Sequence, residues 1–141
     1  MTTRRVFLFE YLSAGTPDRC HGSAAGLHAE GLAMRDAMQA DLAALPNVEL
    51  SVAVGRSDSS FGADGPASTR QVCALVGESA LDFVARQADL HDLVWVVAPE
   101  TDGLLAALNE VVPPQRWLGC TGEAIRLASS KRATLARLQQ H

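Results

Sequence analysis

Two carboxylates stand two residues apart in the segment Val96–Gly103, directly after the most hydrophobic run of the chain. Glu100 and Asp102 therefore follow a predicted buried strand and begin a predicted helix, which is where parallel α/β sheets bind ligands. Carboxylates pair with cationic groups, so this pair could bind a positively charged small molecule. The structural alternative is that Asp102 caps the helix while Glu100 points into solvent.

Glu10 is a third carboxylate that could either bind a ligand or have no binding role. It interrupts the first apolar run near the carboxyl end of that run. A charged side chain at this position lies either at the edge of the sheet or in a binding site.

The familiar nucleotide and hydrolase motifs are absent. The sequence contains no G-x-x-x-x-G-K-[ST], no G-x-G-x-x-G after the first strand and no G-x-S-x-G. Cys20, His21 and His28 can be drawn as metal ligands, but their spacing is not a recurrent ligand pattern, so no metal site is predicted. Cys20, Cys73 and Cys120 form an odd set without C-x-x-C, which favours reduced, mostly buried thiols.

The elements that must position these residues alternate along the chain. Hydrophobic runs predict strands over 6–12, 48–54, 93–98 and 116–119. Helical periodicity predicts helices over 23–45, 70–90, 102–112 and 122–141, the third capped by Thr101 or Asp102 and the fourth by Thr121. Gly26 and Gly31 in the first helix indicate a small face that lies close against a sheet or a ligand.

This order predicts an α/β fold with three layers: a mostly parallel sheet of about four strands with helices on both faces, Rossmann-like or flavodoxin-like. Ligands of such sheets bind outside the carboxyl ends of the strands. The rule selects three loops, Ser13–Gly22, Gly55–Pro66 and Pro99–Gly103. The length predicts one domain over residues 1–141.

Composition narrows the class of partner. The chain carries 12 Lys and Arg against 16 Asp and Glu, a net charge of −4, so nucleic acid is not an expected partner. The longest apolar run, Leu93–Ala98, is far shorter than a membrane span. Glu10 also cuts the N-terminal apolar stretch short of a signal peptide. We therefore predict a cytoplasmic protein without membrane contact.

A family resemblance rests on four stretches, Phe9–Tyr11, Ala29–Met34, Val97–Leu105 and Leu118–Lys131. Together they resemble the N-terminal, pre-ATP-grasp domain of ATP-grasp ligases, in the group that includes tyramine–glutamate ligase and related predicted ATP-grasp enzymes. The order and spacing of the stretches span almost the whole chain. The resemblance implies a carboxylate–amine ligase that uses ATP and Mg²⁺ to form an acyl phosphate, which an amine then attacks.

The resemblance also implies roles for individual residues. The family's last stretch usually reads Asp-Lys, and its lysine reaches the phosphates of ATP. Lys131 matches that lysine, whereas Ser130 replaces the aspartate; by itself Lys131 reads as a solvated helix lysine. Four carboxylates are candidate substrate-binding residues in the wall of a cleft for a small-molecule amine or carboxylate: Glu10, Glu30, Glu100 and Asp102. An exposed helix face explains Glu30 equally well.

The ATP-binding and metal-binding lobes of such a ligase have no counterpart in this sequence. We therefore expect the isolated chain to be inactive, to bind no ATP or Mg²⁺, and to be completed by the missing lobes or by a partner chain. An apolar patch around Leu127, Leu135 and Leu138 is expected where the lobes would meet it, and a second copy could cover it as a homodimer. The alternatives are a free-standing flavodoxin-like binding or regulatory module, and an assembly subunit that pairs with a separate ATP-binding chain.

Overall fold

A computed structural model describes residues 2–15, 24–56 and 69–140. The strands are β1 (Arg4–Glu10), β2 (Val48–Ala53), β3 (Thr69–Val72) and β4 (Leu93–Val97). The helices are α1 (Ala24–Ala43), α2 (Ala80–Leu90), α3 (Leu104–Glu110), α4 (Gly122–Ala128) and α5 (Lys131–Leu138), with a 3-10 turn over Thr101–Gly103 before α3. None of the helices in these three ranges is both long enough and apolar enough to cross a membrane.

The strands form one parallel sheet in the order β3-β2-β1-β4. A fifth segment extends the sheet beyond β4, because Trp117 forms a parallel bridge with Val94. The central strand β1 is buried over residues 6–10, which explains its near-continuous apolar sequence. The predicted α/β fold with a parallel sheet is thus confirmed, although the predicted strand over 116–119 is reduced to this single bridge.

Helices cover both faces of the sheet. Alternate residues of β1 divide the core, since Val6 and Leu8 pack on the side of α1, whereas Phe7 and Phe9 pack on the side of α2. On the α2 side, the ring of Phe83 stands edge-on to Phe7 and Phe9, with centroids 5.6 and 6.0 Å apart. The result is the three-layer arrangement that the element order predicted.

The predicted helix over 70–90 is wrong in its first third. Residues 69–72 form β3 instead, because pairing with the open edge of β2 satisfies their backbone groups. Arg70 and Gln71, which fitted the solvent face of a helix, are polar residues of an edge strand. The helix begins at Ala80, after Ser79, whose hydroxyl accepts a hydrogen bond from the backbone N–H of Asp82 at 3.1 Å.

The C-terminal helices also differ from the prediction. Thr121 caps α4 as predicted, since its hydroxyl accepts from the backbone N–H of Ala124 at 3.3 Å. The helix does not continue to the end, however, because Ser130 caps a separate helix, α5, through the N–H of Ala133. The expected apolar patch is exposed to 36%, 57% and 68% at Leu127, Leu135 and Leu138.

Candidate functional site

The strand order predicts a ligand crevice at the carboxyl edge of the sheet, between β1 and β4. From β1 the chain moves outward through β2 to β3, and it returns to β4 on the other side of β1. Helices α1 and α2 consequently lie on opposite faces of the sheet. Ligands of α/β sheets bind at such a reversal of strand order. We call this region the switch-point crevice and define it by residues 10–15 and 98–103.

Glu10 forms the base of the crevice, level with Val97 in the register of β1 and β4. It is 2% exposed. Its Oε1 accepts from the backbone N–H of Leu12 at 3.1 Å, and its Oε2 accepts from the N–H of Ser13 at 2.7 Å. The side chain therefore closes the turn after β1, and charge-assisted hydrogen bonds from the backbone stabilise its buried charge.

Helix α1 comes closest to this turn at Gly31. A Cβ atom at Gly31 would lie 2.9 Å from Leu12 Cβ and 3.0 Å from the carboxyl carbon of Glu10, closer than packed atoms approach. This contact explains the small helix face that the sequence indicated. Gly26 does not belong to it, because a Cβ there would have nothing within 4 Å.

The other loops of the carboxyl edge are tied to the crevice through the backbone. Gly15, at φ +64°, lies so close to Gly55 that a Cβ would stand 2.7 Å from Gly55 Cα. Arg56 Nη1 donates to the carbonyl of Ala74 at 3.0 Å, which joins the loops after β2 and β3. The remainder of the two predicted loops Ser13–Gly22 and Gly55–Pro66 falls largely outside the described residues.

Glu100 and Asp102 lie on the loop after β4, and both are exposed. No side chain caps the 3-10 turn or α3, so the predicted caps at Thr101 and Asp102 are wrong, and Gly103 occupies the cap position of α3. Asp102 adopts a left-handed backbone, with φ 54° and ψ 22°, which Asp tolerates better than most residues. Within the described chain neither carboxylate has a hydrogen bond or an ion pair. Both are therefore available to a ligand.

An aromatic side chain that the sequence reasoning overlooked lies between these loops. Tyr11 is half-buried, packs on the same core cluster as Ala98 and Leu104, and stands edge-on to Phe9 with ring centroids 6.4 Å apart. Its backbone N–H donates to the carbonyl of Val97 at 2.9 Å, which fixes its position relative to β4. The stretch Phe9–Tyr11 contained the signal, but only the carboxylate was considered.

The remaining two predicted site residues lie elsewhere. Glu30 is exposed on α1, beside Gly31. Lys131 is exposed at the first position of α5, a helix that packs against α4 and buries none of its own residues. Thr134 Oγ1 anchors α5 by donating to the carbonyl of Leu127 at 2.9 Å. Of the predicted residues, the fold brings Glu10, Glu100 and Asp102 to one edge of the sheet and leaves Lys131 on a peripheral helix.

A second concavity lies toward the opposite edge of the sheet. It has a volume of about 760 Å³ and is bounded by β3, the first residues of β1 and β2, and the C-terminal half of α2. We call it the α2 pocket; its polar lining includes Arg5, Glu49, Ser51, Arg70, Gln87 and His91. The sequence did not indicate this pocket, because Arg70 was placed on a helix.

Fixed charges and one buried imidazole surround the α2 pocket. Hydrogen bonds from Arg5 hold the pKa of Asp92 below its usual value, and the same pairing raises the pKa of Arg5. Burial lowers the pKa of His91, which favours the neutral ring. Its Nδ1 donates to the carbonyl of Gln87 at 2.7 Å.

The described residues were also considered as metal ligands and as reactive thiols. Among the side chains in the described ranges, no group of three His, Cys, Asp or Glu could hold a metal ion. Cys20 and His21 lie outside those ranges, while His28 Nδ1 donates to a backbone carbonyl of the loop after β1 at 3.1 Å. Cys73 is half-buried and Cys120 is exposed, so the prediction of mostly buried thiols is wrong for Cys120.

Comparison with known proteins gives one match. The family model of the pre ATP-grasp 3 domain matches residues 50–125, more than half of the 141-residue chain. The matched region contains Glu100 and Asp102, whereas Glu10 and Glu30 precede it and Lys131 follows it. No curated protein and no solved structure matches the chain significantly.

Proposed function

The chain belongs to the pre-ATP-grasp 3 domain family, and from this premise we propose that its switch-point crevice receives the amine substrate of an ATP-dependent carboxylate–amine ligase. A pre-ATP-grasp domain is part of an ATP-grasp ligase. The finer assignment, to the group of ligases that includes tyramine–glutamate ligase, belongs to the same proposal. In it, residues 1–141 act as one domain of a cytoplasmic enzyme.

The observation that carries the proposal is the pair of unpartnered carboxylates at the reversal of strand order. Glu100 and Asp102 are exposed, lack partners among the described residues, and lie inside the region that matches the family. Two negative charges on one short loop attract an ammonium group and hold it by charge-assisted hydrogen bonds.

The other predicted substrate residues have supporting roles. Glu10 shapes the crevice by closing the turn after β1, since both of its oxygens already accept backbone hydrogen bonds. Tyr11 supplies an aromatic wall, which favours an amine with an apolar body next to its charge. Glu30 is an exposed carboxylate on the neighbouring helix and adds to the negative potential of this side.

The crevice contributes to the ligase reaction by positioning the amine substrate. Attack on an acyl phosphate requires the amine nitrogen to be held beside the activated carbonyl, and orientation of this kind accounts for much of the rate of such reactions. Glu100 and Asp102 bind the amine end of the substrate, and the backbone contacts at Gly15 and Gly31 fix the walls around it.

In the complete ligase, ATP would supply the phosphoryl group that activates the carboxylate, and Mg²⁺ would neutralise the phosphate charge. Among the described residues no group of three His, Cys, Asp or Glu could hold a metal ion, and Lys131 stands at the start of a peripheral helix. Phosphate and metal binding are therefore assigned to the ATP-grasp lobes, with Lys131 as a contact from this domain. We assign the exposed patch of Leu127, Leu135 and Leu138 to the contact with those lobes.

The proposal is tested in the complete ligase, in which this chain is combined with ATP-grasp lobes encoded in the same reading frame or by an adjacent gene. ADP release is measured with panels of primary amines and carboxylic acids. The double variant Glu100→Gln with Asp102→Asn is expected to raise the KM for the amine at least about tenfold and to leave the KM for ATP unchanged. Asp89→Asn is the matched control, because Asp89 is an exposed carboxylate on α2.

The same assay examines Lys131. Lys131→Gln is expected to raise the KM for ATP, whereas the neighbouring exposed Arg132→Gln leaves it unchanged. An amine KM that does not respond to the double variant would overturn the proposed crevice. A genome without ATP-grasp lobes in frame or nearby would instead favour the free-standing flavodoxin-like module.

A further inference from the structure

We propose that the α2 pocket binds a small organic anion carrying carboxylate or phosphate groups, at a site separate from the switch-point crevice. The inference does not depend on the ligase function, because it rests on different residues at the other edge of the sheet. The pocket's volume of about 760 Å³ is in the range of sites for small molecules.

The floor of the pocket is polar where a parallel sheet is normally apolar. Parallel sheets are covered on both faces, so their strands usually carry hydrophobic residues on each side. Val72 packs in the core on the α2 side, which places Arg70, two residues earlier, on the same face of β3. Ser51, the register partner of Arg70, and Glu49 face the same side from β2. The polar side chains on this face of β2 and β3 therefore favour a polar ligand.

Gln87 adds a polar group to the pocket lining. It lies on the buried side of α2, only 3% exposed, next to the core residue Ala88. Its side-chain amide has no hydrogen bond to any described residue and still reaches solvent through the pocket, so it is free to donate to an occupant.

Two arginines of the pocket lining each form an ion pair with a carboxylate. Arg5 donates to Asp92 through Nε at 3.5 Å and Nη2 at 3.1 Å. Arg86 donates to Glu78 through Nε at 2.7 Å and Nη2 at 2.8 Å. In both cases Nη1 has no partner among the described residues, so each guanidinium keeps a donor group for an anion.

Donor groups without an acceptor favour an anion. Asp92 and Glu78 neutralise Arg5 and Arg86, whereas Arg70 has no carboxylate partner within the described chain. The guanidinium of Arg70 can therefore bind a carboxylate or phosphate in a two-point contact, and Nη1 of Arg5 and of Arg86 each add one donor. The neutral amide of Gln87 and the hydroxyl of Ser51 complete a set of donors for oxygen atoms.

Binding is measured by amide shifts of the ¹⁵N-labelled full chain during titration with inorganic phosphate and, separately, with succinate, while chloride keeps the ionic strength constant. Saturable shifts are expected at residues 69–73 and at the side-chain amide of Gln87, and the tighter of the two probes identifies the anionic group. Arg70→Gln is expected to weaken binding at least about tenfold, whereas Arg132→Gln, on α5, leaves it unchanged. Shifts that do not saturate with either probe, or that respond equally to both variants, would overturn the proposal.

A second variant separates a ligand contact from a structural role for Gln87. Gln87→Leu keeps about the same volume and removes the amide donor, so anion binding is expected to weaken while the thermal stability of the ligand-free chain changes little. A lower melting temperature would show that Gln87 has a structural partner, and it would contradict the inference. Failure of the amine site leaves these readouts unchanged, because that site is monitored at residues 98–103.

Discussion

The two candidate ligand-binding regions differ in how their charged side chains are held. In the switch-point crevice, Glu100 and Asp102 are exposed on a loop and have no partners within the described residues. In the α2 pocket, Arg5 forms an ion pair with Asp92 and Arg86 forms one with Glu78. A cation that binds in the crevice would have to order the two carboxylates, whereas an anion in the pocket would meet arginines that are already held by ion pairs.

The same comparison distinguishes carboxylates by their burial. Glu10 is enclosed and accepts two backbone hydrogen bonds, so its contribution is to the shape of the crevice. Glu100 is exposed and makes no hydrogen bond or ion pair with a described residue. Substitutions at the two positions should therefore separate stability from binding.

The largest effect is expected at the helix contact that supports the crevice. Gly31→Ala places a Cβ against the Glu10 carboxylate and Leu12, and it should lower the free energy of unfolding by about 1–3 kcal/mol. Gly26→Ala in the same helix has open space and should raise that free energy by up to about 1 kcal/mol. Urea denaturation measures both, and equal gains for the two variants would show that Gly31 is not packed against Glu10.

The next effect concerns Glu10 itself. Glu10→Gln replaces one acceptor oxygen by an NH₂ group that faces a backbone N–H, so the free energy of unfolding should fall by about 1–2 kcal/mol. Glu100→Gln, at an exposed position, should change it by less than about 0.5 kcal/mol. If urea denaturation gives the same loss for both, the division between a structural and a binding carboxylate is wrong.

A smaller effect is expected from the backbone of the acidic loop. Asp102→Gly relieves the left-handed conformation and should raise the free energy of unfolding by up to about 1 kcal/mol while weakening amine binding. Gly103→Ala, at φ 73°, should act in the opposite direction on stability. Thermal unfolding of the two variants compares them directly, and a destabilised Asp102→Gly protein would count against strain at this residue.

The smallest effect is the pH dependence that His91 imposes on the pocket side. Because burial lowers its pKa in the folded chain, the unfolded chain binds the proton first as the pH falls below about 6.5. The contribution of this group to stability is therefore complete above that pH and decreases below it. His91→Phe keeps a ring against Phe7 and should flatten the change in melting temperature between about pH 7.5 and about pH 5.5. An unaltered slope would exclude His91 as its source.

The sequence located the strand ends that define the candidate crevice, whereas its role in binding stays a prediction. Hydrophobic runs located β1, β2 and β4, and the residues that follow such strands in a parallel sheet share one edge. Gly31 was also identified in advance as a close contact, since glycine inside a helix needs a packing reason. The predicted caps at Thr101 and Asp102 failed because the chain turns there through left-handed residues.

The α2 pocket could not be predicted from the sequence, because it is a space that the tertiary packing of the strands and α2 leaves unfilled. β3 has four residues and one clear apolar side chain, and its polar positions fit a helical pattern as well as an edge strand. Only its pairing with β2 brings Arg70 into the lining of the same pocket as Gln87 and Arg5. The unpaired state of Gln87 is likewise a property of the tertiary structure and leaves no mark in the sequence.

The most direct measurement of the amine site is a titration of the ¹⁵N-labelled chain with 2-phenylethylamine, alongside its uncharged analogue 2-phenylethanol. The account predicts saturable shifts at Tyr11 and residues 98–103 with the amine only. These shifts should persist in Asp89→Asn and disappear in the double variant Glu100→Gln with Asp102→Asn. Equal shifts with the alcohol, or shifts that survive in the double variant, would contradict recognition of an ammonium group by this loop.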